Sequence, residues 1–377
     1  MKKILFFLMI IFTVLGLCSC KKEETKGVYY APVASTAEES RVVMSFTVDG
    51  RTYDVRYELY RALFVGNRYE VDGGDDSVWT GPLAEDKINE INEIIVDKAA
   101  EIYSTLDLAQ RLGINAYSFE ADLNIQYMID LYVKGGESES GTSVVGYGSY
   151  DKFLASLKKK GMNYATCELM FRYSYALERI NEYYVGTYGI FGYTGGKLNV
   201  TDKALKDYYY SDECVRVLEA YFQVGTKTEE RIGEIRDSFE NESSIKAIAA
   251  KIIQYTTVTS SELIDTSGNV VGKPIGYYEL DSKYYSEYIS EAFSLSHGDV
   301  SRVICIDNIN DIYADGYYVL IGVEKDDQHF ENSKSHIKSS YVNNEIGKIL
   351  YAAKESMAQS VLFAQDYEKI NHSELIK

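Results

Sequence analysis

The sequence predicts an α+β protein that is mainly helical, begins with a β-hairpin and carries a smaller α/β region between helical flanks. Three observations lead there. Apolar residues recur at helical spacing over long stretches, three prolines interrupt 377 residues, and strand-like runs gather in one part of the chain. Proline removes a backbone donor and clashes with the preceding turn, so its scarcity favours long helices.

The first twenty residues stand apart from that fold. Lys2 and Lys3 precede an apolar run from Ile4 to Leu17. The run has the length of a signal-peptide core and falls short of the ~20 residues a spanning helix needs. Leu17-Cys18-Ser19-Cys20 then resembles a lipobox, in which an apolar residue precedes two small ones and the cysteine to be lipidated. Cys20 fits better than Cys18, because Leu17 stands directly before Cys18, where a small residue is wanted. Residues 1–19 are therefore expected to be a cleaved signal and residues 20–40 a flexible tether, with the body lipid-anchored outside the cytoplasmic membrane.

Val42 to Tyr57 alternates as strands do, with Asp49-Gly50 as the hairpin turn. A helix is expected from Arg56 to about Gly66. Another runs from Glu85 to Leu112 on the stripe Ile88, Ile91, Ile95, Ala99, Ile102, Leu106, Ala109 and Leu112, stopped by Gly113. Helical patterns continue through 119–133, 150–160 and 165–184, and Thr201 reads as the N-cap of a further helix. Strand-like runs at Val215–Phe222, Ile304–Asn308 and Tyr317–Val323, with a helix near Ser243–Ile253, mark the α/β region. The stretch from Glu331 to Tyr367 returns to helical spacing.

Composition narrows the function. Net charge is −18, which repels nucleic acid and anionic lipid, and no basic block offsets it. Nucleic-acid binding is excluded. Beyond Cys20 the mature chain keeps Cys167, Cys214 and Cys305, an odd number without metal-like spacing. His297, His329, His336 and His372 form no paired motif, so neither a metal nor a cofactor is expected. Gly189 to Lys197 has glycines and a lysine, but Leu198 stands where a phosphate loop needs Ser or Thr. A turn between helices is the better reading. The 35 tyrosines suit a wet surface that holds apolar partners, but on composition alone half-buried packing is the better reading.

Several segments together carry a family resemblance. They are Val48-Asp49-Gly50, the Trp79 loop, the long helix ending at Gly113-Ile114, and the run from Val200 to Tyr209. Between helical flanks stand Gly272–Tyr278, Glu291–Ser301 and Gly316–Ile321. This order resembles SurA/PrsA-type extracytoplasmic foldases, and Ala292-Phe293-Ser294-Leu295 through Val300-Ser301 is its most specific part. The resemblance implies a helical chaperone domain over 41–211, an inserted parvulin-like prolyl isomerase domain over 212–326, and a C-terminal helix over 327–377 that packs back on the first. It implies unfolded or newly exported polypeptides as partners, and contact with the membrane through the lipid.

The catalytic comparison departs from the family. Arg216 and Tyr318 stand at the positions where parvulins carry histidines, and no residue near Ser260-Ser261-Glu262 aligns clearly with the remaining site residue. His297 lies in a turn. Prolyl isomerisation breaks no bond; the enzyme must bind the twisted amide better than the planar one against a barrier of ~18–20 kcal/mol. The resemblance puts the proline pocket between Ile275, Tyr284, Tyr288 and Tyr318. The expectation is a chaperone that binds chains and isomerises them weakly or not at all. The alternatives are an active isomerase with a divergent site and a non-catalytic docking lipoprotein.

Overall fold

The computed structural model describes residues 29–137, 143–189, 192–198, 200–223, 225–256, 263–265, 267–278, 286–306 and 316–376. Cys20, Tyr284 and Ser260-Ser261-Glu262 lie outside them. The chain divides into two units, one of Met1–Gly196 with Leu350–Lys377, the other of Lys197–Ile349. No helix among the described residues is long and apolar enough to cross a membrane.

The first unit opens on β1 (Val42–Val48) and β2 (Arg51–Arg56). Asp49 and Gly50 both take positive φ, 49° and 74°, as a two-residue turn must to match strand twist. A register shift between Val42 and Met44 accompanies the burial of adjacent Val43 and Met44. α1 (Tyr57–Asp72) runs through Gly66, the expected end, and stops at Gly73, which adopts the left-handed C-cap. α2 (Ala84–Arg111) buries Ile91, Ile95, Ala99, Ile102, Leu106 and Ala109, the central part of the stripe read from sequence.

α3 (Phe119–Lys134) starts at Ser118, whose hydroxyl accepts from the Ala121 N–H. The two-residue strands β3 (Gly136–Glu137) and β4 (Ser143–Val144) pair in the glycine-rich break. α4 (Tyr150–Lys159) and α5 (Tyr164–Val185) follow. β5 (Gly186–Gly189) and β6 (Gly192–Gly195) form a hairpin where the sequence suggests only a turn.

The chain is already fixed to this unit at Tyr30. The Gln126 side chain clasps its backbone, accepting from Tyr30 N at 2.8 Å and donating to Tyr30 O at 3.3 Å. The Tyr30 hydroxyl donates to Asp130, and its ring lies 5.0 Å from that of Tyr150. Tyr30 and Ala31, within the span expected as a tether, are thus held by α3 and α4.

The second unit begins with α6 (Asp202–Tyr210), capped by Thr201 as its sequence suggests. β7 (Cys214–Gln223) leads to α7 (Glu229–Glu240) and α8 (Ile245–Tyr255). Then come β8 (Lys273–Gly276), α9 (Ser286–Ser294), β9 (Ile304–Ile306) and β10 (Gly316–Gly322). The sheet has the order β8-β7-β10-β9 with every pair antiparallel. The continuous helix expected from Glu331 to Tyr367 is instead α10 (Asp327–Asn332), then α11 (Lys334–Ala358), within which the division between units falls.

After α11 the chain extends, and β11 (Leu362–Phe363) adds to the free edge of β1. An unpaired β1 edge would leave backbone groups without partners, which favours strand over helix there. α12 (His372–Leu375) closes the first unit. Buried Tyr60 donates to Asn92 Oδ1 at 2.8 Å and lies 2.8 Å from His372 Nε2, while Asn92 donates to the Tyr367 hydroxyl. Burial pushes the His372 imidazole down to about 4, so the ring is neutral at pH 7.

Tyr60→Phe leaves Asn92 and His372 without their shared partner. We expect it to lower the first unit's stability by about 1–3 kcal/mol. The chain's single tryptophan, Trp79, is buried in this unit and donates to Asp72 at 2.9 Å, so urea unfolding followed by its fluorescence reads the change. A loss under about 0.5 kcal/mol, the size of an ordinary surface substitution, would contradict the role of the network.

Candidate functional site

The side chains on the sheet of the second unit are sorted by strand alternation. Tyr318 on β10 is opposite Tyr221 on β7, Leu320 opposite Glu219, and Ile275 on β8 opposite Val215. Directly paired residues share a face, so Val215, Val217, Glu219 and Tyr221 lie with Tyr318, Leu320 and Ile275. α9 covers this face with Tyr288, Ile289 and Ala292. The opposite face carries Leu218, Ala220, Phe222, Val319 and Ile321, packed on α7 and α8 through Ile232, Phe239, Ile248 and Ile252.

Ile275, Tyr288 and Tyr318 are therefore brought together. The Tyr318 ring stands edge-on to Tyr288 at 5.8 Å and lies 5.1 Å from Tyr221. They form a packed cluster rather than an open seat: Ile275, Tyr288 and Tyr318 keep 2%, 6% and 7% of their surface exposed. Glu219 is the polar member of this face. It accepts from the Tyr288 hydroxyl at 2.5 Å and lies 3.8 Å from the Lys273 ammonium, which sits 5.9 Å from the Tyr288 ring centre. Glu219 is not among the residues the sequence marks as a site. A carboxylate interrupting the alternate apolar residues Val215, Val217 and Tyr221 was the available signal.

Arg216 is not part of the cluster. One residue out of phase with Val217, it projects from the other face, and its side chain is 2% exposed. Nε donates to Val271 O at 2.8 Å, and the terminal nitrogens donate to Glu324 O at 2.9 Å, to Asp326 at 2.6 Å and to Val270 O. Gly272 turns at φ +72° beside it, where a Cβ would come within 3.1 Å of the arginine side chain. Arg216 and Tyr318 thus point to opposite sides of the sheet. The structure assigns Arg216 a packing role, as a clasp between β7, the 270–272 turn and the end of β10. His297 is a turn residue whose Nδ1 accepts from the Glu324 N–H at 2.9 Å.

Buried His329 extends that clasp. Its Nε2 lies 3.1 Å from Gly272 O, which can only accept, so Nε2 carries the proton and Nδ1 accepts from the Tyr209 hydroxyl at 2.8 Å. Burial, then the adjacent Arg216 charge, pushes the imidazole down to about 4. Asp326 resists its own partial burial: the His329 N–H and Arg216 hold its carboxyl below the usual range. No group of His, Cys, Asp and Glu among the described residues could hold a metal.

A second candidate surface lies on α3 in the first unit. Ala121, Ile125 and Ile129 are buried, whereas Phe119, Leu123 and Tyr127 are 77%, 55% and 39% exposed. Their spacing of four puts them in one row on the outer side. Tyr117, just before the helix, is 62% exposed and carries the Arg172 guanidinium 4.6 Å from its ring centre. The sequence shows α3 as helical; its excess of apolar residues over one buried stripe was the sign that a second face points outward.

No known family model matches the chain, and no curated protein does. Solved structures show a loose likeness. Foldase protein PrsA from Streptococcus pneumoniae is 13% identical, covering 83% of this chain and 91% of its own, with a TM-score of 0.28. PrsA from Bacillus subtilis is 16% identical, covering 89% and 98%, with a TM-score of 0.23. The peptidylprolyl isomerase PrsA from Bacillus cereus is 14% identical, covering 79% and 96%, at 0.23. At such values the likeness carries no argument about function.

His329 supplies a pH dependence. Its folded value, about 4, lies below the ordinary 6.5, so between them the unfolded chain binds the extra proton. Stability of the second unit should fall as pH drops from about 6.5 towards 4. Amide hydrogen exchange of β7 and β10 against pH measures this. His329→Gln, which can keep both hydrogen bonds, should flatten the profile in that window; an unchanged slope would contradict the assignment.

Proposed function

We propose that this chain is a lipid-anchored, extracytoplasmic foldase that holds unfolded polypeptides on its helical unit and isomerises prolyl bonds weakly or not at all. The observation that carries the reading is the outward row Phe119, Leu123 and Tyr127 on α3, a helix whose other side is already packed. Apolar side chains in a row on a surface cost free energy in water. Covering one such side chain is worth roughly 1.5–3 kcal/mol, which suits weak, exchangeable capture of chain segments.

The parvulin-like unit supports the second half of the reading. A proline ring needs an apolar seat, and Ile275, Tyr288 and Tyr318 fill that face with their own packing. Neither Arg216 nor Tyr318 restores a histidine pair, since they face opposite ways. Domain boundaries near 211 and 326, as the resemblance implies, leave this unit as a companion to the binding helices.

The anchor fits the same work. With Cys20 lipidated, nine residues separate it from Tyr30, where the chain is clasped to α3. A chain of that length reaches about 35 Å at most. The body, with the α3 row on the helix that clasps the tether, would then wait close to where exported chains emerge.

Suppression of aggregation of two unrelated unfolded proteins tests the reading. The wild-type chain should delay light scattering, and Phe119→Ser with Leu123→Ser should lose most of that delay while Trp79 fluorescence stays native. A double variant as protective as wild type would remove α3 as the binding face. Robust prolyl isomerase turnover abolished by Tyr318→Ala would instead favour the active-enzyme alternative.

A further inference from the structure

We infer that the α3 face selects chain segments whose apolar residues are flanked by lysine or arginine, a choice of client that rests on the polypeptide-binding reading above. α3 itself carries Glu120, Asp122 and Asp130 against Lys134, a net of −2. The cations around it are already committed. Arg172 donates to Ala116 O at 2.7 Å and pairs with Asp122 at 2.8 Å and Glu168 at 2.5 Å. Lys134 pairs with Asp130 at 2.7 Å, and Arg179 with Glu182 at 2.5 Å.

Glu120 is different. It follows Phe119 at the start of α3, outside the row itself; its side chain is 74% exposed, and its ion pair with Arg179, at 3.9 Å, is the longest of those named. A basic client residue seated next to the row would meet this carboxylate, whereas an acidic one would meet it with no uncommitted arginine or lysine among those named to offset the repulsion. The ring of Tyr117 already bears a guanidinium, and Tyr29, 71% exposed beside the Tyr30 clasp, offers a second aromatic surface for a cation. The field of a chain with net charge −18 acts in the same direction over longer range. The same acidity disfavours an anionic bilayer as the occupant.

Fluorescence anisotropy with the full chain and two short labelled peptides tests this. Both peptides share one Leu- and Phe-containing core; one has lysine flanks and the other glutamate flanks. The lysine-flanked peptide should bind at least about tenfold tighter at low salt, and the gap should close near 1 M salt, where screening acts within about 3 Å. Glu120→Lys should narrow the gap severalfold with unchanged thermal unfolding. Equal affinities would overturn the charge selection and leave polypeptide holding intact. Binding of neither peptide would overturn the reading on which the selection rests. Capture of phosphatidylglycerol vesicles in place of peptides, or a dimer broken by Leu123→Ser, would make the face a membrane contact or a self-interface and overturn the inference.

Discussion

The register of β10 on β7 governs what the second unit can do. Tyr318 opposite Tyr221 and Val319 opposite Ala220 send alternate residues to opposite sides of one sheet. A shift of one residue would exchange them all. With this register, Tyr318 joins Ile275 and Tyr288 under α9, and Arg216 goes to the far face. There, fully desolvated, it is compensated by carbonyl oxygens and by Asp326. A buried guanidinium persists only with such partners, so the arginine is tied to the turn at Gly272 and to the start of α10. Its place is explained by packing without any catalytic role.

The first unit rests on a different constraint, namely that a helix with apolar residues on two sides can bury one of them. α3 commits Ala121, Ile125 and Ile129 inward and leaves Phe119, Leu123 and Tyr127 outside. Gln126 and Asp130 on the same helix hold the incoming chain at Tyr30. The Tyr30 clasp and the apolar row therefore share one element. The C-terminal segment completes the unit through β11 and through the hydroxyl of Tyr60, so residues distant in sequence close the same core.

Much of this was legible from residue patterns. The Asp49-Gly50 turn, the α2 stripe and the Thr201 cap were readable because each depends on neighbours in sequence. The α+β class followed from the same local signals. What was missed depends on contacts far along the chain. The extension after Ala358 answers the open edge of β1, more than three hundred residues earlier. That Arg216 and Tyr318 face opposite ways depends on the pairing of β7 with β10, which no local pattern fixes. α7 has no expected counterpart, although Glu229-Glu230 makes an apt first turn after the Thr228 cap. Glu219 escaped because a lone carboxylate within an apolar strand looks like noise until Tyr288 is seen to donate to it.

The central claim is that unfolded chains are held on α3 and not on the closed face of the sheet unit. Site-specific photo-crosslinking decides it most directly. A photoreactive residue placed at Leu123, and separately at exposed Tyr277 in the second unit, would be irradiated in the presence of a labelled unfolded protein. The account predicts strong adducts from position 123 and few from 277. Adducts concentrated at 277, with none at 123, would contradict it.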